Sequence, residues 1–229
     1  MRIRRALNLP QEPEDFKAVQ RALAADIRLG GAPDPAPLVA GVDVAYSKTG
    51  PDMAYAVAVV MEASSHRIVE LATWSGPPPY EYVPGLFALR EGACLRSVLE
   101  RLKTRPDVLF IDGQGIAHPR GFGLACQLGL TFDIATVGVA KKRLIGSYAM
   151  PGNEPGRWTR LRSEAGKTIG GVLRTSAGVK PVFVSPGHRC SVRAAVGLAS
   201  MMRSEWRIIA PIREADIRTR QLRDEGRVR

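Results

Sequence analysis

A strand covered on both faces is predicted by the run Leu38-Val-Ala-Gly-Val-Asp-Val-Ala45, which is apolar at every position but one. After it, Met53–Met61 and Arg67–Trp74 predict two more strands, and the polar stretch between them suits antiparallel pairing. Two later apolar runs, Val108–Asp112 and Ile134–Val139, alternate with helical segments, as expected for parallel strands joined by crossovers. The sequence therefore predicts an α/β fold, with a mixed β-sheet flanked by helices.

Periodicity and turn signals predict further elements around this sheet. They are a helix at about 14–29, a helix at Pro84–Leu102, a short helical piece around Leu124–Leu128, a hairpin of Thr168–Leu173 and Pro181–Val184, a helix at about Ser191–Arg203 and a basic tail at about 217–229. The length of 229 residues suits a single domain over 1–229.

Charge is distributed unevenly along the chain. There are 33 Lys and Arg against 22 Asp and Glu, which gives a net charge of +11. The excess lies in the second half, where residues 141–179 hold eight basic and two acidic side chains, while residues 31–140 are slightly acidic. A basic surface around a group of carboxylates is typical of proteins that bind polyanions such as nucleic acids. An ordinary solvated surface is the alternative.

Composition excludes several classes of protein. An apolar share of 45% is too high for a disordered chain. No apolar run approaches the roughly 18–20 residues needed to span a bilayer, so we expect no membrane partner. The N-terminus turns polar without a secretory apolar core, and this favours a cytoplasmic protein. Cys94, Cys126 and Cys190 lack zinc or disulfide spacing and are expected to be reduced, buried thiols.

Three acidic residues stand out against apolar surroundings. Asp43 and Asp112 are carried by otherwise apolar strands, where an unpaired carboxylate would cost several kcal/mol. Glu91 falls on the apolar stripe of its predicted helix, four residues before Leu95. Each acid alone is compatible with a structural role, as a turn cap or as the partner of an arginine. Three acids directed at one interior instead indicate a cation that compensates them.

The chemistry of these ligands suggests a reaction class. Carboxylate oxygens without paired His or Cys favour Mg²⁺ or Mn²⁺ over zinc. A carboxylate-bound magnesium beside a basic surface suits phosphodiester hydrolysis, because the ion activates water and neutralises charge on the phosphorane and on the leaving oxygen. The sequence thus favours a metal-dependent nuclease. The acids by themselves would also suit a phosphatase.

Four sequence blocks around these acids resemble, in order and spacing, the motifs of the endonuclease V family, the deoxyinosine 3′ endonucleases. The blocks are Tyr82-Val-Pro-Gly-Leu-Phe-Ala-Leu-Arg-Glu91, Asp112-Gly-Gln-Gly-Ile-Ala-His-Pro-Arg120, Val137-Gly-Val-Ala-Lys-Lys-Arg-Leu144 and Ser185-Pro-Gly-His-Arg-Cys-Ser191. The resemblance implies a ribonuclease-H-like fold, with Mg²⁺ as cofactor and Mn²⁺ as substitute. It also implies repair of deaminated adenine by hydrolysis of the second phosphodiester bond 3′ to deoxyinosine, leaving 3′-hydroxyl and 5′-phosphate ends.

The resemblance also implies roles for individual residues. The metal ligands would be Asp43, Glu91, Asp112 and the late acid Asp216; the other catalytic residues would be Lys141 and His118; the strand-separating wedge would be Tyr82; and the base pocket would use Gly85, Gly113, Gly123 and Leu144. Backbone groups near the glycines would distinguish hypoxanthine from adenine, since the two bases present opposite patterns of donors and acceptors.

Two residues depart from the family pattern. Gln114 stands where relatives usually have His, and Glu81 stands where they usually have Pro. Gln114 cannot act as an acid or base, and Glu81 places an anion near the wedge. We expect a monomer that cuts DNA containing deoxyinosine. The alternatives are an endoribonuclease acting on inosine-containing RNA and a nucleic-acid-binding protein that has lost catalysis.

Overall fold

The computed structural model describes residues 1–10, 13–81, 83 and 87–225. Five helices and eight strands occur in this part of the chain. In chain order they are α1 (Pro13–Ala24), β1 (Leu38–Tyr46), β2 (Ala54–Glu62), β3 (Ile68–Gly76), α2 (Phe87–Glu100), β4 (Val108–Asp112), α3 (Leu124–Phe132), β5 (Ala135–Ala140), β6 (Trp158–Arg162), β7 (Thr168–Leu173), β8 (Val182–Pro186), α4 (Val192–Met201) and α5 (Ala210–Glu225).

All eight strands belong to one sheet, in the order β3-β2-β1-β4-β5-β8-β7-β6. Strands β1, β2 and β3 pair antiparallel, whereas β4 runs parallel to β1 and β5 runs parallel to β4. The remaining strands return antiparallel through β8, β7 and β6. The predicted mixed sheet flanked by helices is therefore confirmed. A single domain over 1–229 stays a prediction, which this continuous sheet supports.

Two apolar layers cover the two faces of the sheet. One face of the sheet packs with α2 and α3, through residues such as Val42, Leu95 and Leu128. The opposite face packs with α4 and α5, through residues such as Val59 and Ile212. Alternate residues of β1 enter opposite layers, as the two-residue period of a strand requires. In the part of the chain described here, no helix combines the length and apolarity needed to cross a membrane.

The structure differs from the predicted elements in three places. Helix α1 ends at Ala24 rather than near residue 29. Strand β6 was not predicted, because only Leu161 of its five residues is buried and the strand lacks an apolar run. Residues 217–225, predicted as a basic tail, continue helix α5. Its buried positions, Pro211, Ile212, Ala215 and Thr219, include only one large apolar side chain, so the pattern gives a weak signal.

Gly41 in the middle of β1 allows α5 to lie directly on the sheet. A Cβ atom at this position would lie 2.1 Å from the carbonyl oxygen of Pro211. We expect Gly41→Ala to lower the free energy of unfolding by about 1–3 kcal/mol or more, because the backbone of α5 must move. Urea denaturation measures this change. As a control, Gly197→Ala in α4 meets open space and should stabilise by about 0.5–1 kcal/mol. An unaltered midpoint for Gly41→Ala would contradict the close approach.

Candidate active site

Two carboxylates lie side by side where parallel strands β1 and β4 meet. The register pairs Val42 with Ile111, so Asp43 and Asp112 each occupy the next position along neighbouring strands. Asp112 is the last residue of β4 and is partly exposed, with 28% of its side chain accessible. The carboxyl end of this pair of strands therefore presents two acids to the same region.

A helix on each face of the sheet adds one more acid. Glu91 comes from α2, and its charge acts on Asp43 and Asp112. Asp216 comes from α5 on the opposite face, and its charge also acts on Asp43. The close packing of α5 on Gly41 positions the helix for this approach. The four predicted acids thus come from four separate elements, and Glu91, Asp112 and Asp216 are each electrostatically coupled to Asp43.

Crowding of these carboxylates changes their protonation. Burial, followed by the negative charges of Asp112 and Asp216, raises the pKa of Asp43 to about 7. Burial, followed by the charges of Asp43 and Asp112, raises the pKa of Glu91 well above its ordinary value. Both shifts have the direction expected when desolvation and like charges disfavour ionisation. The site therefore carries electrostatic strain that a bound cation would relieve.

Lys141 directly follows β5 and lies against this acidic group. Its Nζ is 2.6 Å from Oδ2 of Asp112. Partial burial lowers the pKa of Lys141, but the charges of Asp112, Asp216 and Asp43 outweigh this effect, so the pKa is raised. The lysine therefore stays protonated at neutral pH. An ammonium group next to the carboxylates is suited to orient or neutralise an approaching phosphate.

The donor chemistry of the four acids fits a hard divalent ion. Within the described ranges, no three His, Cys, Asp or Glu side chains form a ready-made metal site. The four acids nevertheless offer only carboxylate oxygens, the ligands that Mg²⁺ and Mn²⁺ prefer. Burial, followed by mutual repulsion, raises the pKa values of Asp43 and Glu91, and a bound cation would favour their ionised forms. The residues therefore fit a divalent metal in ligand type and in charge.

Comparisons with known proteins show the family to which this chain belongs. The sequence profile of the family described as Endonuclease V matches residues 21–217. The Endonuclease V of Geotalea uraniireducens is 41% identical over 205 residues, covering 89% of this chain and 85% of the relative. The chain belongs to the endonuclease V family. The predicted family resemblance is confirmed, and the chain is a nuclease by membership.

Solved endonuclease V structures share the fold over nearly the whole chain. The crystal structure of Endonuclease V from Streptomyces avermitilis matches with a TM-score of 0.88 at 38% identity, covering 96% of each chain. Endonuclease V from Ciona intestinalis, in complex with a 24mer DNA containing an inosine followed by a ribo-adenosine, matches with a TM-score of 0.83 at 25% identity. The alignment covers 94% of this chain and 98% of that one. The mixed sheet is thus the predicted ribonuclease-H-like fold.

His118 lies in the loop after β4 and is partly buried. Its Nδ1 accepts a hydrogen bond from the backbone N–H of Arg120, at 3.3 Å. Burial, followed by the positive charge of Arg120, lowers the pKa of His118 to about 4. The imidazole is therefore neutral at pH 7 and carries its proton on Nε2. It can donate a hydrogen bond, but it does not supply a positive charge.

The remaining predicted residues differ in exposure and hydrogen bonding, and two of them are not described by the structure. Leu144 is 52% exposed in the loop that begins at Lys141. The N–H of Gly123 donates to the carbonyl of Gly115 at 3.0 Å, and the N–H of Gly113 donates to Val139 at 3.3 Å. These two N–H groups are therefore used within the protein. The predicted wedge Tyr82 and pocket residue Gly85 lie outside the described residues.

Gln114, at a position where the family resemblance predicts histidine, connects two loops of the site. Its Nε2 donates to the carbonyl of Lys142 at 3.1 Å. This bond joins the loop after β4 to the loop that carries Lys141. The substitution therefore keeps a structural function in this chain, although the amide cannot transfer protons.

Sequence reasoning missed Arg207, which contacts the same lysine loop. Its guanidinium donates to the carbonyls of Lys141, Lys180 and Pro181, at 2.5, 2.9 and 3.1 Å. Arg207 therefore fixes the backbone from which Lys141 projects. The basic second half contains many arginines, and no local pattern distinguishes this one.

His188, which belongs to the fourth sequence block, has a structural role and is not the N-cap of α4. The cap of α4 is Ser191, whose side chain accepts a hydrogen bond from the N–H of Ala194. His188 is buried and lies 3.3 Å from Asp133, and it also accepts from the N–H of Arg28 at 3.4 Å. The residue therefore connects three loops rather than completing the endonuclease V site.

Proposed function

We propose that this chain is a DNA repair endonuclease that hydrolyses the second phosphodiester bond 3′ to deoxyinosine, leaving 3′-hydroxyl and 5′-phosphate ends. The observation that carries the proposal is the group of four carboxylates against Lys141, in a chain of the endonuclease V family. The DNA bound by the Ciona intestinalis relative contains inosine, which supports the choice of lesion. Membership in the family supports DNA as the partner.

Asp43 and Asp112 would hold Mg²⁺, or Mn²⁺ in its place, and Glu91 and Asp216 would complete the set directly or through water. When bound, the ion lowers the pKa of the attacking water and neutralises charge around the scissile phosphate. The contribution of the chain would be to supply oxygen ligands from four elements, whose charges are coupled to that of Asp43. Their mutual repulsion disfavours the metal-free, fully ionised state, and this repulsion favours cation binding.

Lys141 and His118 would act on the phosphate itself. The ammonium of Lys141 stays protonated and supplies a compact positive charge beside Asp112. It would orient the nucleophile or stabilise negative charge that develops on the phosphorane. His118 is neutral and would donate a hydrogen bond through Nε2 to a phosphate oxygen or a water. The histidine is therefore assigned positioning rather than general acid chemistry.

The lesion would enter a pocket after strand separation. Tyr82 would fill the space left by the extruded base, at a cost of a few kcal/mol that is smaller for a weakly paired base such as hypoxanthine. Leu144 is exposed, lies three residues after Lys141 in the sequence, and would form an apolar platform for the base. Gly113 and Gly123 already use their N–H groups internally, so they would shape the pocket rather than donate to the base. Other backbone groups near them would read the hypoxanthine edge.

One observation favours a second candidate, cleavage of inosine-containing RNA. The nucleotide that follows inosine in the Ciona intestinalis complex is a ribo-adenosine. A relative therefore accepts a 2′-hydroxyl beside the lesion. A catalytically inactive binding protein is the weaker alternative, because the acids and the lysine of the site are all present and adjacent.

An end-labelled oligonucleotide assay tests the proposal. Wild-type protein is incubated with DNA or RNA that carries a single hypoxanthine, in Mg²⁺, Mn²⁺ or chelator, and the products are sized to the nucleotide. We expect the wild-type protein to cut the second phosphodiester bond 3′ to hypoxanthine. Cleavage should require metal and should be faster on DNA than on RNA. The matched control contains adenine at the same position. Faster cleavage of RNA would select the second candidate, and equal cleavage of the adenine control would reject lesion recognition.

A further inference from the structure

The outer edge of the sheet carries a basic and aromatic groove that the candidate active site does not use. The groove has a volume of 580 Å³ and lies between β6 and the loop residues Ser147, Tyr148 and Ala149. Its other lining residues are Trp158, Thr159, Arg160 and Arg162. We call these seven residues the β6 edge groove.

Charge in this region is strongly one-sided. Residues 141–162 contain six basic side chains and a single acid, Glu154. That acid is ion-paired with Arg157, with 2.7 Å between Nε and the carboxylate oxygen. None of the residues that line the β6 edge groove is acidic. An anionic ligand therefore meets no opposing charge inside the groove.

The groove also exposes aromatic surface on a fixed backbone. Trp158 is 38% exposed, which leaves part of a large ring open to solvent. The loop is held against β6 because Ser147 and Arg162 form a β-bridge, and the hydroxyl of Thr159 donates to the carbonyl of Ala149 at 2.5 Å. The arginines and the indole are therefore presented by a preformed surface.

The loop that forms this groove begins in the active site. Lys141 contacts Asp112, and Ser147 pairs with β6 only six residues later. In the sheet, β6 is three strands from β5, a distance of about 14 Å at about 4.8 Å per strand. At about 3.4 Å per nucleotide along one strand, this span corresponds to roughly four nucleotides. A nucleic acid strand in the active site can therefore reach the groove.

We propose that the β6 edge groove binds the DNA strand that flanks the lesion, at a distance of about four nucleotides from the end of β5, where Lys141 lies. Arg160 and Arg162 contact backbone phosphates, and Trp158 stacks on a base. The assignment rests on the proposed nuclease function, and it adds a second contact region on the same substrate. It also explains why basic residues concentrate in this part of the sequence.

Binding of strands with different flanks tests the groove. Single-stranded DNA with one deoxyinosine is prepared with flanks of 2 or 12 nucleotides, extended on the 5′ side, the 3′ side or both. Affinities are measured by fluorescence anisotropy in chelator at several salt concentrations. The Arg160→Ala/Arg162→Ala protein is compared with wild type and with Arg21→Ala/Arg96→Ala, which removes two exposed arginines from helices α1 and α2.

We expect one extended flank to increase wild-type affinity, and the groove variant to lose that increase while binding the short strand normally. Loss of two phosphate contacts should reduce the slope of log K against log salt by about 1.4. The control variant should keep both the increase and the slope. Equal flank effects in the groove variant and wild type would overturn the proposal. A failure of the proposed nuclease function can be distinguished from a failure of the groove proposal, because the wild-type protein would then not cleave the oligonucleotide in the presence of metal.

Tryptophan fluorescence supplies a second measurement. Stacking of a base on Trp158 should quench emission when the long-flanked strand binds, and Trp158→Phe should remove this quenching while retaining affinity within about twofold. The substitution keeps an aromatic ring, so the variant should fold like the wild type. Quenching that persists in Trp158→Phe would show that another tryptophan reports binding, and would remove the stacking role.

Discussion

Asp43→Asn is expected to reduce metal-dependent cleavage of deoxyinosine DNA by at least about 10³-fold. Asp43 lies at the centre of the acidic group, since its charge is coupled to Glu91, Asp112, Asp216 and Lys141. The amide keeps the shape of the side chain but removes the anionic ligand. Metal-ion catalysis contributes several kcal/mol to transition-state stabilisation, and each 1.36 kcal/mol corresponds to a tenfold change in rate. Single-turnover cleavage in Mg²⁺ measures the loss.

The same substitution should stabilise the metal-free protein at high pH. Unfolded Asp43 ionises near pH 4, whereas the folded residue keeps its proton to about pH 7. Between these values the folded state binds more protons, so the stability of the wild type falls as pH rises. In chelator at pH 8, Asp43→Asn should therefore exceed wild type in unfolding free energy by about 1–4 kcal/mol. At pH 3 the variant and the wild type should have similar unfolding free energies.

Asp15→Asn is the matched control, because Asp15 is exposed on α1. It should leave cleavage and the pH dependence of unfolding close to wild type. Cleavage by Asp43→Asn at the wild-type rate would eliminate the metal role of this residue. Lost cleavage together with lower stability in chelator would indicate disrupted packing rather than removal of a charged ligand.

The acids on apolar strands could be predicted from sequence because burial of a charge is costly. Asp43 and Asp112 interrupt runs that are otherwise suited to a sheet interior, and the parallel register places them on neighbouring strands. Glu91 could be predicted as a candidate ligand because it lies on the apolar stripe of α2. The roles of Asp216 and Lys141 depended on family resemblance, since neither departs from a solvated surface pattern. Sequence reasoning thus selects candidate ligands best where local polarity conflicts with burial.

Contacts between distant segments were not predictable in the same way. Gly41 is needed because α5 crosses β1, and that crossing depends on a helix whose buried residues are weakly apolar. Arg207 holds the Lys141 loop through backbone carbonyls, which leave no trace in the side-chain pattern. Strand β6 lies at the edge of the sheet, where only one residue needs to be apolar. Each of these features depends on tertiary geometry rather than on local periodicity.

Lys141→Met is expected to lower kcat by about 10²–10³-fold with a much smaller change in KM. The thioether chain retains the length and apolar stem of the lysine but removes the ammonium that lies 2.6 Å from Asp112. A group that stabilises charge only in the transition state affects kcat rather than binding, and loss of one such group typically costs this factor. Steady-state kinetics on the deoxyinosine strand separate the two parameters.

The response to metal distinguishes catalysis by Lys141 from simple neutralisation of Asp112. Removing a cation from the acidic group should favour binding of another cation, so Lys141→Met should need no more Mg²⁺ than wild type. Its rate should stay low at saturating metal, while Lys103→Met, at an exposed lysine after α2, should cleave normally. Full recovery of kcat at high Mg²⁺ would mean that Lys141 only balances charge. A persistent defect would place its ammonium at the reacting phosphate.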